Sequence, residues 1–354
     1  MRIVVTGATG NVGTALLRHL VEHTDHEVVG IARRLPDRAS GSRVAWVSTD
    51  LTDPSCQPIL DSTFRGAGAV VHLAWGFQPS HDLGYLAELG VQGTRRVLSA
   101  VAAAQVPHLV HMSSVGAYSP KRGNTPVDED YPTDGVPGSP YSQHKAQAER
   151  LLDAFSAASP DVRVTRMRPG IIGQRSAGSA LLRYALPALL PARVLRLVPV
   201  LPLDGSLQIP MVHADDVADA FGRVLATGES GAFNLAAGLP VTTADIAQAL
   251  GARHLQVPRR IVRGAVAGSW HARLQPIDPG WIDLAHDVPL LDCGRAERDL
   301  GWQPTHSGVA VLEEVVQPMA NADSGRTPVL RPRTVLGGLS DAVRDKPVAY
   351  RRRP

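Results

Sequence analysis

Short apolar runs alternate with helix-period stretches through the first half of the chain. Ile3-Val4-Val5, Val28 to Ile31, Val44 to Val47, Ala69 to Leu73, His108 to Met112 and Val162 to Met167 each read as a strand. They are apolar along their whole length instead of alternating, which predicts strands buried on both faces of a parallel sheet. Between the first two, Asn11 to His23 sets Val12, Leu16, Leu17 and Leu20 on one helical face. The pattern predicts an α/β fold, a doubly wound parallel sheet with helices on both sides.

After about Gly173 the rhythm changes: prolines become frequent and strands scarce. Asp215 to Leu225 predicts a helix and Ala232 to Leu235 a strand. A further helix starts near Thr243, with Thr242 or Thr243 as its N-cap. Gly301-Trp302-Gln303-Pro304 marks a turn before a last helix, roughly Gly308 to Val316. Beyond Pro318 the chain is rich in Pro, Gly and Arg and is expected to be flexible or loosely packed. The expected organisation is a core over 1–173, a smaller C-terminal substrate-binding region over 174–316 interleaved with the final sheet elements, and a tail over 317–354.

The first strand runs into Thr6-Gly7-Ala8-Thr9-Gly10-Asn11-Val12-Gly13, and a helix follows at once. Glycines between a first strand and helix allow a tight turn and close approach of a pyrophosphate, which the helix N-terminus attracts with unpaired N–H groups. This is the Rossmann dinucleotide arrangement, with Gly7, Thr9, Gly10, Asn11, Val12 and Gly13 as cofactor-binding candidates. Glu27 starts the second strand, at the wrong end to hold a ribose hydroxyl. Arg33 and Arg34 follow that strand's end, where cations suit a 2′-phosphate, so NADP is preferred and NAD remains possible. Asp50-Leu51 closes the third strand; Asp50 is placed either to accept from an adenine amino group or to cap the helix starting near Pro54.

Tyr141-Ser142-Gln143-His144-Lys145 spaces Tyr and Lys four apart, on one face if helical, with Ser139 as cap and Pro140 in the first turn. Tyrosine titrates near pH ~10 unperturbed, and a neighbouring ammonium favours the phenolate. Such a pair can pass a proton to or from a substrate oxygen while a nicotinamide moves a hydride. Ser113-Ser114 ends the fifth strand, where ligands bind in parallel sheets. Taken singly, each piece also fits a solvated helix face or an ordinary strand end.

Together these residues resemble the extended short-chain dehydrogenases/reductases, the NAD-dependent epimerase/dehydratase family. The resemblance is carried by Thr6 to Gly13, Asp50-Leu51, His72-Leu73-Ala74, Ser113-Ser114, Tyr141 with Lys145, Arg168-Pro169-Gly170 and Val212 to Ala218, over residues 1 to about 316. It implies Ser114 as the substrate-orienting serine in preference to Ser113, Tyr141 as the acid–base and Lys145 as the ribose-binding cation. It also sets Leu73-Ala74 beside the cofactor ribose and the backbone after Arg168-Pro169 near the nicotinamide carboxamide. Within His213-Ala214-Asp215-Asp216, Asp215 or Asp216 is expected to cap a helix; no metal is expected. The family's 4,6-dehydratases place an acid pair after the serine position, where this chain has Val115 and Gly116, so dehydration is disfavoured. Its nucleotide-sugar epimerases often carry an asparagine where Gly170 and Ile171 stand here. Ala180 to Leu203 is mostly apolar apart from Arg183, Arg193 and Arg196, which favours a partly apolar carbonyl or alcohol substrate. Reduction therefore leads, with NAD-dependent sugar-nucleotide epimerisation as the alternative and a non-catalytic cofactor-binding regulator as the third reading. The resemblance also allows a homodimer, with His81 to Gln105 supplying one of its helices.

Composition narrows the rest. Hydrophobic residues make up 44% of 354 and charged residues 19%, enough for a large core. The net charge is only +3, with no basic stripe interleaved with aromatics, so nucleic acid is not an expected partner. Cys56 and Cys293 are two isolated thiols, suited to a reducing cytoplasm. Met1 leads straight into a strand without a signal region, and arginines and prolines interrupt the greasiest stretch, Ser179 to Leu203, arguing against a membrane span.

Overall fold

The computed structural model describes residues 1–36, 43–76, 79–177, 199–321, 327 and 330. Seven parallel strands form the central sheet: β1 (Arg2–Thr6), β2 (Glu27–Ala32), β3 (Val44–Ser48), β4 (Ala69–His72), β5 (His108–Met112), β6 (Arg163–Pro169) and β7 (Gly231–Leu235). Their order is β7-β6-β5-β4-β1-β2-β3. The chain thus winds outward in both directions from the β1/β4 boundary, the switch point at which such sheets bind ligands. Ile3, Val4, Val5, Val70 and Val71 are fully buried because helices cover both faces. Helices Asn11–His23 and Ala214–Thr227 close one face. Gln57–Phe64, Gly93–Ala103 and Pro140–Ala158 close the other.

Beyond β6 the predicted scarcity of strands holds only for long ones. Ile171–Gly173 pairs with Met211–His213, Gln208–Ile209 with Val241–Thr242, and Val200–Leu203 with Arg253–Gln256. Strands of two to four residues are too short to show a period. Helices Arg259–His271, Gly280–Asp287 and Gly294–Leu300 complete this part. Thr242 caps Thr243–Leu250 in a reciprocal box with Asp245, as the sequence predicts.

Two capping expectations are corrected. Helix Ala214–Thr227 is capped by His213, whose Nδ1 accepts from the Asp215 N–H at 3.1 Å. His213 has the extended backbone that a cap requires, while Asp215 and Asp216 lie inside the first turn, where their charge favours the helix dipole. Asp53, not Asp50, caps the turn at Pro54, accepting from the Ser55 N–H at 2.9 Å; Asp50 accepts from the Thr52 N–H and hydroxyl instead. The last helix, Gly308–Asn321, outruns its predicted end at Val316. In the tail, Thr327 donates to the Thr9 carbonyl at 2.8 Å and Leu330 is 2% exposed. Residues 322–326, 328–329 and 331–354 lie outside the described residues, and so does the expectation of a loose tail there.

Candidate functional site

The glycine turn sits at the switch point. Gly7 has φ +70, and a Cβ there would lie 2.6 Å from the Ala74 nitrogen, so the turn after β1 and the turn after β4 touch through bare backbone. A Cβ on Gly13 would lie 2.4 Å from the Gly7 oxygen. Helix Asn11–His23 starts from extended Gly10 with no side-chain cap, which leaves its first N–H groups and positive end facing the crevice. A cradle that side chains would fill, beneath an uncapped helix start, fits a dinucleotide pyrophosphate. Leu73 and Ala74 lie at its rim, their N–H groups directed to Thr6 at 3.1 and 3.4 Å. Val12 and Leu51 belong to the apolar core beneath it. Asn11 is tied away from the turn: its amide donates to the Ile172 carbonyl, and its Oδ1 accepts from Gln174. Arg33 donates to the Tyr85 hydroxyl at 3.0 Å and lies 3.7 Å from Asp50, with Arg34 next to it at the end of β2.

Ser139 and Pro140 start the 19-residue helix Pro140–Ala158. Four-residue spacing brings Tyr141, Lys145 and Glu149 along one stripe facing the end of β5. Ser114 is the extended residue just past β5; its Oγ accepts from the Gly116 N–H at 3.0 Å and bonds Tyr141. A Cβ on Gly116 would lie 2.9 Å from Tyr141 Cε1, so the ring packs directly against that glycine. Ser113 turns the opposite way and donates to Glu149 at 2.5 Å. The structure therefore joins Ser114, and not Ser113, to Tyr141.

Burial pushes Tyr141 up to about 12, and the Ser114 hydrogen bond opposes it. The four-residue spacing pointed instead to Lys145 as the group acting on Tyr141. In the structure the Lys145 ammonium donates to the Met112 carbonyl at 2.8 Å and lies 3.6 Å from the centre of the Trp75 ring. Lys145 is 2% exposed, and burial pulls it down to about 7, with Glu149 opposing.

Glu149 anchors this stripe to the sheet. It accepts from Arg168 at 2.9 and 3.1 Å, from Arg166 at 3.3 Å and from Ser113. Burial alone would raise its pKa, but Arg168 and these donors hold the carboxylate below its usual range. Arg168 continues to the Tyr118 hydroxyl and the Glu129 carbonyl, and Tyr118 donates to Asn234. Pro169 follows, buried at the end of β6 beside Leu235. Sequence reasoning missed Glu149, although its place four residues after Lys145 is a visible signal. It also missed Trp75 and Trp281, which flank Tyr141: Trp75 meets it edge-on at 6.4 Å between centroids, and Trp281 stacks on it at 5.3 Å.

His213 and His306 stack at 4.0 Å, each turned to its own carboxylate: His213 to Glu314 at 3.2 Å, His306 to Asp216 at 3.1 Å. Among the described residues, no three His, Cys, Asp or Glu side chains gather to hold a metal, and no helix is long and apolar enough to cross a membrane. Arg183, Arg193, Arg196 and the apolar stretch around them lie outside the described residues up to 198.

A family model described as "NAD dependent epimerase/dehydratase family" matches residues 3–236. The chain is 29% identical to a UDP-glucose 4-epimerase of Mycolicibacterium smegmatis over 334 residues, covering 90% of this chain and 97% of that one. It is 26% identical to a dTDP-glucose 4,6-dehydratase of Streptomyces antibioticus, covering 86% and 88%. The UDP-glucuronic acid 4-epimerase of Bacillus cereus, solved with UDP-glucuronic acid and NAD, has the same fold: TM-score 0.67 at 19% identity, covering 91% and 99%.

Proposed function

Because this chain belongs to the NAD-dependent epimerase/dehydratase family, we propose that it transfers hydride between a nicotinamide dinucleotide and a secondary alcohol or carbonyl carbon through Ser114, Tyr141 and Lys145. The observation that carries the reading is the hydrogen bond between Ser114 and Tyr141 at the open end of β5, next to the glycine cradle. A bound nicotinamide supplies or takes up the hydride. Tyr141 gives its phenolic proton to the substrate oxygen in reduction and removes it in oxidation. Ser114 donates to the same oxygen and orients it. Lys145, one turn along the helix, provides the cation for a ribose hydroxyl and favours the phenolate when its ammonium swings toward Tyr141.

Net reduction of a partly apolar carbonyl is the leading form of this reading. Its supports are Trp75 and Trp281 beside Tyr141, and Val115, Gly116 and Ala117 after Ser114, which leave no acid there to expel water. Arg33 and Arg34 favour NADP, although a 2′-phosphate would compete with Asp50 for Arg33. Cys56 and Cys293 are both free, which suits the cytoplasm. The similarity to UDP-glucose 4-epimerase along almost the whole of that enzyme favours a second form, epimerisation with a tightly held NAD regenerated each cycle. One experiment separates them. The purified chain is denatured and its supernatant assayed for nicotinamide, then native protein is offered NADPH or NADH with a panel of ketones and aldehydes. Consumption of added NADPH supports reduction. One equivalent of released NAD, with UDP-sugar isomers interconverting, supports epimerisation. Absence of both cofactor binding and turnover would sink the proposal.

A further inference from the structure

Trp75 occupies a slot made for it. It follows Ala74 at the cofactor rim, and its indole edge reaches into the five-residue π-helical turn Glu88–Gln92. A Cβ on Gly90 would lie 3.0 Å from Trp75 Cη2 and Cζ2, so a side chain there would press on the indole and shift it by a few tenths of an ångström. The π-turn and the missing side chain together make the room. The seated ring meets His111 on β5 at 6.5 Å and Tyr141 on the neighbouring helix at 6.4 Å, both edge to face, and its own face lies under the Lys145 ammonium at 3.6 Å.

The surroundings of that ammonium explain why a ring face matters. Lys145 carries three N–H donors in a buried position, and Met112 O takes one. Glu149, the carboxylate on its own helix, spends its oxygens on Arg168, Arg166 and Ser113. Tyr141, one turn earlier on that helix, bonds Ser114. From the sheet, His72 and His111 face Lys145 as imidazoles that burial holds neutral, and protonating either would add a second cation. Among the described residues, the indole is the remaining electron-rich group in contact, and its quadrupole attracts a desolvated cation.

We propose that Trp75, seated against Gly90, is a positioning residue that holds Lys145 between the Met112 carbonyl and its own ring face and keeps that side chain an ammonium within reach of Tyr141 and of a cofactor ribose. The role in turnover rests on the function proposed above; the effect on Lys145 does not. The chain has three lysines, Lys121, Lys145 and Lys346, so the full-length protein with lysine isotope-labelled at Cε gives three resolvable NMR titrations, assigned by Lys121→Arg and Lys346→Arg. Trp75→Leu is expected to lower the Lys145 midpoint by about 0.5 to 1.5 pH units. Trp75→Phe, which keeps a weaker ring face, should recover part of the shift, and Gly90→Ala, which crowds the indole from the other side, should lower the midpoint in the same direction. If Trp75→Leu does not fold, the other two variants decide. A Lys145 midpoint unchanged in the folded variants overturns the inference. Because the titration needs no substrate, this result is independent of whether Tyr141 proves catalytic. Where a turnover assay exists, Trp75→Leu should also move the pH profile of kcat, which a merely structural role would not do.

Discussion

Two clusters of arginine and carboxylate lie near the candidate site, and they differ in surroundings more than in composition. On the sheet side, Glu149 and Arg168 have side chains 1% and 5% exposed, and nearly every polar atom is matched by Ser113, Arg166, Tyr118 or the Glu129 carbonyl. In the C-terminal part, Arg259 and Arg263 meet Asp283 and Asp287, but the arginines are 33% and 44% exposed. Helix Arg259–His271, which carries both, has no buried residue. The first cluster replaces water completely and so holds the Tyr141 helix in one register against β5 and β6. The second keeps water as a partner and so tolerates adjustment.

The largest expected effect lies on the sheet side. Tyr141→Phe should lower kcat/KM by about 10²- to 10⁴-fold with cofactor binding intact, measured as reduced-nicotinamide consumption beside a cofactor titration. Wild-type turnover in this variant would remove Tyr141 from the mechanism. Next, Arg168→Ala removes the bidentate partner of the buried Glu149 carboxylate, leaving it Arg166 and Ser113, and should cost about 3–5 kcal/mol of stability, read from urea unfolding. A loss as small as a surface pair gives would erase the contrast between the clusters.

The pH dependence is also set by the sheet side. Burial lowers His72 to about 3 and His108 to about 4, and holds His111 well below its usual value. The unfolded chain takes up protons on these imidazoles below about pH 6.5 while the native state refuses them, so their contribution to stability is full above that pH and is lost as pH falls toward 4. The slope should approach about 4 kcal/mol per pH unit for three histidines, and the lowered Glu149 adds to it below about pH 4.5. A urea midpoint unchanged between pH 7 and 5 would contradict this account. The smallest effect belongs to the exposed cluster: Arg259→Ala should cost no more than about 1 kcal/mol, since Arg263 still holds Asp283 and the partly exposed Asp287 can turn to water.

How much was legible in the chain follows the same division. The six apolar runs became β1 to β6 with ends shifted by a residue or two, because two-sided burial leaves an unbroken hydrophobic signature. Strands of two to four residues and helix Arg259–His271 left no such mark. The caps at Ser139 and Thr242 were readable from local chemistry, whereas His213 was passed over because two aspartates beside it look like better caps until the backbone shows which residue is extended. Arg33 read as a free cation for a phosphate, and only folding brings Tyr85, more than fifty residues on, to its side.

The sequence alone determined the parallel sheet, the glycine turn and the stripe of Tyr141 and Lys145, since each depends on neighbours within a few positions: burial period, backbone freedom or helical spacing. The tertiary structure decided which serine meets Tyr141, that Glu149 and Arg168 pin the helix, and that Lys145 rests on Trp75. These depend on the direction in which a side chain leaves the end of a strand and on what is packed there from distant parts of the chain, and no local pattern carries that information.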